Sequence, residues 1–325
     1  MTTDSFQSRL SELLRSIEVD MGSTNMGFIV MESFELAVQD LRGRNLHEFF
    51  QQLFHLTQFI NNTDPKFAIL IDIFHDILKL AYEEDILHKQ ANFPLKKQKF
   101  LKRLGELIHE KREEERRIVE NAMKKINVHG KGILLHDNSR TVHRVLNGFH
   151  KAGQKFTIIV AEQDPDKSGP IIEALHKKKY PFRVVPSYMV SHLADCIDMV
   201  FIGGLTLKST MDFVMDPGTH ALVSQFHLIK RPIYAFMATS KFSMWNSKKR
   251  TEVYSHVHQR RHHCKPIDFE RVKFSHDRIP VKLFKRVITE QGWFTPKEME
   301  KVYNEKLKAY LASDKKFQKI LGKIE

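Results

Sequence analysis

The hydrophobic period of this chain changes at Gly130-Lys131-Gly132, and that change constrains the fold more than any other feature. Before it, the chain has almost no β-branched alternation and reads as helices. Asn62-Thr63-Asp64-Pro65 predicts a helix start, with a capping side chain and a proline in the first turn. The helix it opens carries Phe67, Leu70, Ile71, Phe74, Ile77, Leu78 and Ala81 at three-to-four spacing, so one face is core. A long charged helix follows from Leu95 to Lys125, with Leu101, Leu104, Leu107, Ile108 and Ile118 as its apolar stripe and Glu113–Arg117 as a solvated face. Three or four such helices make a bundle. After Gly132, short apolar runs alternate with helical stretches. Strands are expected at Gly132–His136, Phe156–Ala161, Phe182–Val185, Met199–Gly203 and Pro232–Met237. Helices are expected at Ser139–Phe149, Ser168–Lys178, Tyr188–Ala194 and His220–Ile229, and two more, at Val281–Glu290 and Pro296–Tyr310, close the chain. Strands alternating with helices imply right-handed crossovers and a parallel sheet covered on both faces. The reading is an α/β protein with a helical N-terminal domain over residues 1–128, then an α/β domain with a mainly parallel sheet and C-terminal helices over 129–325.

Composition narrows the function classes. The only cysteines, Cys196 and Cys264, cannot make a disulfide scaffold and point to a reducing compartment. The N-terminus lacks the basic and apolar regions of a signal peptide, and no run approaches the ~20 apolar residues of a membrane span. A soluble, cytoplasmic protein with no membrane contact is expected. The net charge of +13 has a location: Ala221–Glu325 holds 23 Lys+Arg against 10 Asp+Glu, and residues 1–220 balance at 29 and 29. A basic C-terminal third can meet RNA, an acidic protein or a phosphorylated ligand, or serve only as solvated surface; Lys285, Lys297, Lys301, Lys308 and Lys316 fall on helix-like patterns rather than in one tract. His256, His258, His262, His263 and Cys264 sit among Lys248-Lys249-Arg250 and Arg260-Arg261, which would repel a zinc ion, so a solvated loop is expected there and no metal. Phe242, Trp245 and Tyr254 could stack on RNA bases, but anchoring the loop to the core is the better reading. Cys196 reads as a small buried hydrophobe and His136 as a hydrogen-bonding strand end.

Ligands of open α/β sheets bind beyond the carboxyl ends of the strands. Those ends are His136–Arg140, Ala161–Pro165, Gly203–Leu205 and Ala238–Phe242, joined by Asp216–His220 at a helix start. None carries a dinucleotide fingerprint or a P-loop, so no nucleotide cofactor is implied.

The order of these motifs is nonetheless recognisable. A strand followed by His-x-x-Ser-Arg, a Glu-x-x-Pro-x-x-x-Gly loop, Gly203-Gly204, Gly218-Thr219-His220, Lys241-Phe242 and the ending Gly292–Pro296 resemble the regulatory alpha, beta and delta subunits of eukaryotic translation initiation factor 2B. That family is related to the isomerases of methylthioribose 1-phosphate and ribose 1,5-bisphosphate. The resemblance implies a Rossmann-like second domain. It implies a homodimer or higher oligomer paired through that domain, near Phe226, Phe236 and Phe242. It also implies contact with other initiation factor 2B-type subunits and initiation factor 2, with guanine nucleotide exchange carried by partner subunits. The isomerases have a catalytic Cys where this chain has Asp137 and a catalytic Asp where it has Leu205. The Arg before their loop proline is Asp164 here, and their Asn-Lys pair is Met215-Asp216. A thiol and a carboxylate can pass protons between sugar carbons; Leu205 can do neither. The expected site is therefore a degenerate pocket without catalytic residues or cofactor: Asp137, Asn138, Ser139, Arg140, Glu162, Asp164, Gly203, Gly204, Gly218, Thr219 and Lys241, taking at most a weak phosphorylated small molecule. The alternatives are an isomerase with altered chemistry, in which Asp137 works alone, and a sensor of a phosphometabolite or nucleotide.

Overall fold

In the computed structural model, residues 9–10, 12–14, 16–18, 21–40, 46–63, 66–87, 92–163, 165–245, 253–256, 260–262, 265–267, 271–274 and 276–321 are described. Helices α1 (Ser23–Asp40), α2 (Leu46–Asn61), α3 (Ala68–Leu87) and α4 (Phe93–Met123) precede the first strand. The expected stripe from Phe67 to Ala81 is buried, and Ile69 and Ile73 on the next face are buried too, because α3 runs through the centre of the bundle. Asp64 and Pro65 lie outside the described residues. Thr63 closes the preceding helix, its hydroxyl donating to the Ile60 carbonyl at 2.9 Å. Asn92 caps α4 by accepting from Leu95 N at 3.2 Å. Helix α4, 31 residues long, serves two cores. Its Leu104 and Ile108 pack in the bundle, while Ile118 and Ala122 pack against the sheet.

The sheet has seven strands in the order β14-β13-β7-β4-β1-β2-β3. They are β1 (Lys131–Leu135), β2 (Phe156–Glu162), β3 (Phe182–Pro186), β4 (Met199–Gly203), β7 (Ile233–Phe236), β13 (Arg286–Thr289) and β14 (Gly292–Phe294), and every neighbouring pair is parallel except β13–β14. Helix α5 (Arg140–Lys151) joins β1 to β2, and α6 (Pro165–Lys177) joins β2 to β3. A 3-10 helix over Ser187–Cys196 leads to β4, and α7 (Thr219–Leu228) precedes β7. Chain order runs outward on one side from β1 and on the other from β4, so the topological switch lies between them. Short strands β5 (Thr206–Leu207), β6 (Asp212–Met215) and β12 (Asp277–Pro280) form a three-stranded antiparallel sheet in the order β12-β6-β5. The excursion between them contributes β8 (Val253–His256) paired with β11 (Arg271–Phe274), and β9 (Arg260–His262) paired with β10 (Lys265–Ile267). Helix α8 (Pro296–Leu321) extends eleven residues past the expected end at Tyr310.

Four readings need correction. Val281–Glu290 is not a helix: a 3-10 turn over Val281–Leu283 is followed by strand β13. Its apolar spacing mimics a helix, but β-branched Val287 and Ile288 are fully buried between β7 and β14, where a pleated strand packs both. Cys196 is exposed, because it ends the 3-10 helix and its carbonyl, not its thiol, faces β1. Phe226, Phe236 and Phe242 have no exposed surface and belong to the interior of this chain, so they cannot form a pairing face. The segment Glu113–Arg117 is not wholly solvated: Glu115 is buried, since α5 packs across it.

Candidate functional site at the carboxyl ends of the strands

β1 and β4 diverge at the switch point, and the loop after β1 folds over the end of β4. The Asp137 carboxylate accepts a hydrogen bond from Gly203 N at 2.9 Å through Oδ2. Its Oδ1 is buried without a hydrogen-bond partner. Burial first, and the neighbouring Asp216 charge second, push this carboxyl up to about 7, against the Gly203 bond and the Lys241 charge. Gly203 must be glycine here, since a Cβ would lie 2.1 Å from Ser139 Oγ and 2.8 Å from Asp137 Oδ2. Ser139 caps α5, accepting from Val142 N at 3.3 Å. Asn138 Oδ1 lies 3.2 Å from His143 Nε2. The Lys241 ammonium is buried and donates to the Gly204 carbonyl at 3.3 Å, its pKa lowered by that burial despite the Glu18, Glu115 and Asp137 charges. Gly218 adopts φ 89° to cap α7, a left-handed conformation that favours glycine. Thr219 is completely buried and its hydroxyl has no hydrogen-bond partner.

The structure thus brings Asp137, Ser139, Gly203, Gly204 and Lys241 together, with Gly218 against His136, where an added Cβ would be 3.4 Å from Nε2. Glu162 ends β2, half-buried, and Asp164 lies outside the described residues. Arg140 is engaged elsewhere. Its guanidinium sits 3.2 Å from Glu115 Oε2 and 5.5 Å from the Phe28 ring centre. A phosphate would compete with that carboxylate. Gln163 escaped the sequence reading: its side chain donates to the His136 carbonyl at 2.8 Å, and its backbone N–H donates to Ser168 Oγ, tying the β2 loop to the β1 end. Only its place beside Glu162 could have marked it. Chemically, Asp137 is a buried carboxyl pushed up to about 7 beside the Asp216 charge, with Leu205 offering no proton carrier.

A second polar constellation joins the bundle to the neighbouring strand ends. Asp72 holds Lys306 at 2.6 Å and Lys111 at 3.3 Å, and Lys111 also meets Asp76 at 2.9 Å and Glu114 at 3.5 Å. Lys306 donates to the Thr239 carbonyl at 2.8 Å, and the Glu290 carboxylate accepts from Thr239 N at 3.0 Å. Glu114 is pushed up to about 7 by burial, against the Lys111 charge. Lys111, Glu114, Thr239, Glu290 and Lys306 border a cavity of about 520 Å³ that opens beside Glu110 and Glu305. Phe242 stacks against Tyr303 at 5.6 Å and Trp245 packs with the bundle core, as anchors. The side chains of Tyr254 and of the histidine group from His256 to Cys264 lie outside the described residues, and among the described residues no cluster could hold a metal ion. No helix among them is long and apolar enough to cross a membrane.

The profile of the Initiation factor 2 subunit family matches residues 19–296, from the bundle to the start of α8. The chain belongs to that family. A curated relative, translation initiation factor eIF2B subunit alpha of Dictyostelium discoideum, is 30% identical over 115 residues, which is 35% of this chain and 36% of that protein. The match therefore spans about a third of the relative's length. Among solved structures, the tetrameric eIF2B-beta2-delta2 complex from C. thermophilum aligns at a TM-score of 0.69 and 15% identity, covering 94% of this chain and 95% of that one. The 5-methylthioribose 1-phosphate isomerase from Pyrococcus horikoshii OT3 aligns at a TM-score of 0.67 and 16% identity, covering 91% and 87%. At such identities these structures establish a shared fold: a helical region ahead of a mostly parallel sheet.

Proposed function

We propose that this chain is a non-catalytic regulatory subunit of the initiation factor 2B kind, acting in translation initiation by associating with itself or with related subunits. The residues fall into two domains, 1–128 and 129–325, and the protein works in the cytoplasm. The observation that carries the reading is the strand-end crevice, where buried Asp137 meets the Gly203 backbone and Leu205 stands where a second proton carrier would be needed. Guanine nucleotide exchange on initiation factor 2 is then the work of partner subunits. The crevice residues keep at most a weak phosphate site, since Arg140 is held by Glu115 and Lys241 by Gly204. Incubating the protein with methylthioribose 1-phosphate and ribose 1,5-bisphosphate tests the reading: no product above background is expected. One observation favours the isomerase alternative, namely that Asp137 titrates near 7 and could accept a proton. Turnover that vanishes in Asp137→Asn would establish that alternative instead.

A further inference from the structure

Charge is distributed unevenly between the two edges of the parallel sheet. The carboxyl edge carries Asp137, Glu162, Asp216 and Glu290. Every crossover helix returns the chain to the opposite, amino edge, and on the β1–β2–β3 side those returns are lysine-rich. α5 ends in Lys151 and Lys155 precedes β2; α6 ends in Lys177, and Lys178 and Lys179 precede β3. All five are exposed. Because β1, β2 and β3 are sequential neighbours joined by right-handed crossovers, α5 and α6 lie side by side on one face, so their C-terminal ends converge. Lys178 registers this directly: burial of its stem, then the charges of Lys151 and Arg144, hold its pKa below the usual lysine value. Lys177 pairs with Glu173 at 3.9 Å, but among the described residues Lys151, Lys155, Lys178 and Lys179 have no carboxylate in ion-pair range.

Helix C-termini favour cations, which accounts for His150-Lys151 and His176-Lys177 in the last turns. It does not account for Lys155, which lies four residues beyond the end of α5. Lys179 even occupies a left-handed position, φ 55°, where glycine costs least. Mutual repulsion of this kind is relieved by a multivalent anion. We infer that the amino edge of β1–β2–β3 is a docking surface for the phosphate backbone of RNA. The span from β1 to β3 is about 10 Å, which matches about three successive phosphates of one strand. An acidic protein is the weaker match. Interfaces between proteins centre on aromatic and apolar anchors and are depleted in lysine, and none of the exposed large apolar side chains lies on α5, α6 or the turns that follow them. The lysines of α8 differ, because Glu298, Glu300 and Glu305 are interspersed with Lys297, Lys301 and Lys308 on its exposed surface.

The test is fluorescence anisotropy of the full chain with a labelled oligouridylate of about 20 nucleotides, titrated at salt from about 50 to 200 mM. Binding is expected with log K falling against log salt with a slope of about −3, as four lysine–phosphate contacts on a single strand give. The combined variant Lys151→Gln, Lys155→Gln, Lys178→Gln and Lys179→Gln should lose at least about tenfold in affinity at the low-salt end and most of that slope. Arginine at the same four positions should preserve both, as should Lys297→Gln with Lys301→Gln and Lys308→Gln on α8. Circular dichroism of each variant checks that the fold is kept. Absence of RNA binding by the unaltered chain would overturn the inference. So would equal binding by the glutamine variant, or displacement of the RNA by polyglutamate at equal charge, which would make the surface one for acidic proteins.

Discussion

Replacing Asp137 with Asn should stabilise the protein at neutral pH and do nothing at pH 4. The reasoning starts from the buried Oδ1, which lacks a hydrogen-bond partner, while Oδ2 accepts from the Gly203 N–H. Folding therefore raises this carboxyl from 3.8 to about 7. The native state binds the proton more tightly than the unfolded state, so the group's contribution is intact below the unfolded value and is lost as pH rises through the folded one. A rise of about three units corresponds to at most about 4 kcal/mol between pH 4 and pH 7.5, with relaxation and water entry reducing it. Asn keeps an acceptor for Gly203 and carries no charge. Glu114, raised in the same direction, is present in both proteins and cancels in the difference. The assay is denaturant unfolding of both proteins across this range, plotting the difference in unfolding free energy against pH. The Asn variant should gain steadily from pH 4 upward, by 1 kcal/mol or more, on the order of a quarter of that limit. Parallel curves, or a variant less stable at every pH, would refute the claim that Asp137 is a strained, desolvated carboxyl.

Other outcomes follow from single contacts. Gly132→Ala should destabilise by about 3 kcal/mol in the same assay, because its Cβ would lie 1.8 Å from the Cys196 carbonyl oxygen, and backbone cannot yield as a side chain does. Asp72→Ala should cost about 3 kcal/mol and loosen α8 in hydrogen exchange, since among the described residues Lys306 loses its carboxylate partner and Lys111 one of three. His143 is held down to about 4 by burial and then by the Lys178 charge, so its neutral form stabilises the fold above the unfolded value of 6.5 and that stability is lost as pH falls through 4. His143→Gln should flatten the acid limb of the stability profile; an unchanged limb would contradict this.

Where the sequence was legible, a local pattern sufficed. The five expected parallel strands were marked by short apolar runs after Gly132, and Val142, Val145, Leu146 and Phe149 gave α5 its buried stripe behind the Ser139 cap. The strand-end rule places Asp137, Ser139 and Gly203 at one sheet edge, where the structure has them in contact, because it depends only on strand direction. What failed was non-local or ambiguous. Val281–Glu290 fits a helical period until β7 and β14 flank it. The Asp72–Lys306 contact joins residues in α3 and α8, and no periodicity anticipates it. Glu115 looked like one more charge on a solvated stretch, yet it is the buried acceptor for both Arg140 and Arg144 and so decides which way the expected phosphate ligand Arg140 is drawn.

The central claim is that the chain acts through subunit association rather than turnover, and affinity purification of the full-length protein from the cells that express it tests this most directly. Initiation factor 2B-type subunits should co-purify in fixed proportion and survive a gel-filtration step with the chain. Recovery of the chain alone, as a monomer of 38.1 kDa with no such subunit attached, would contradict the account.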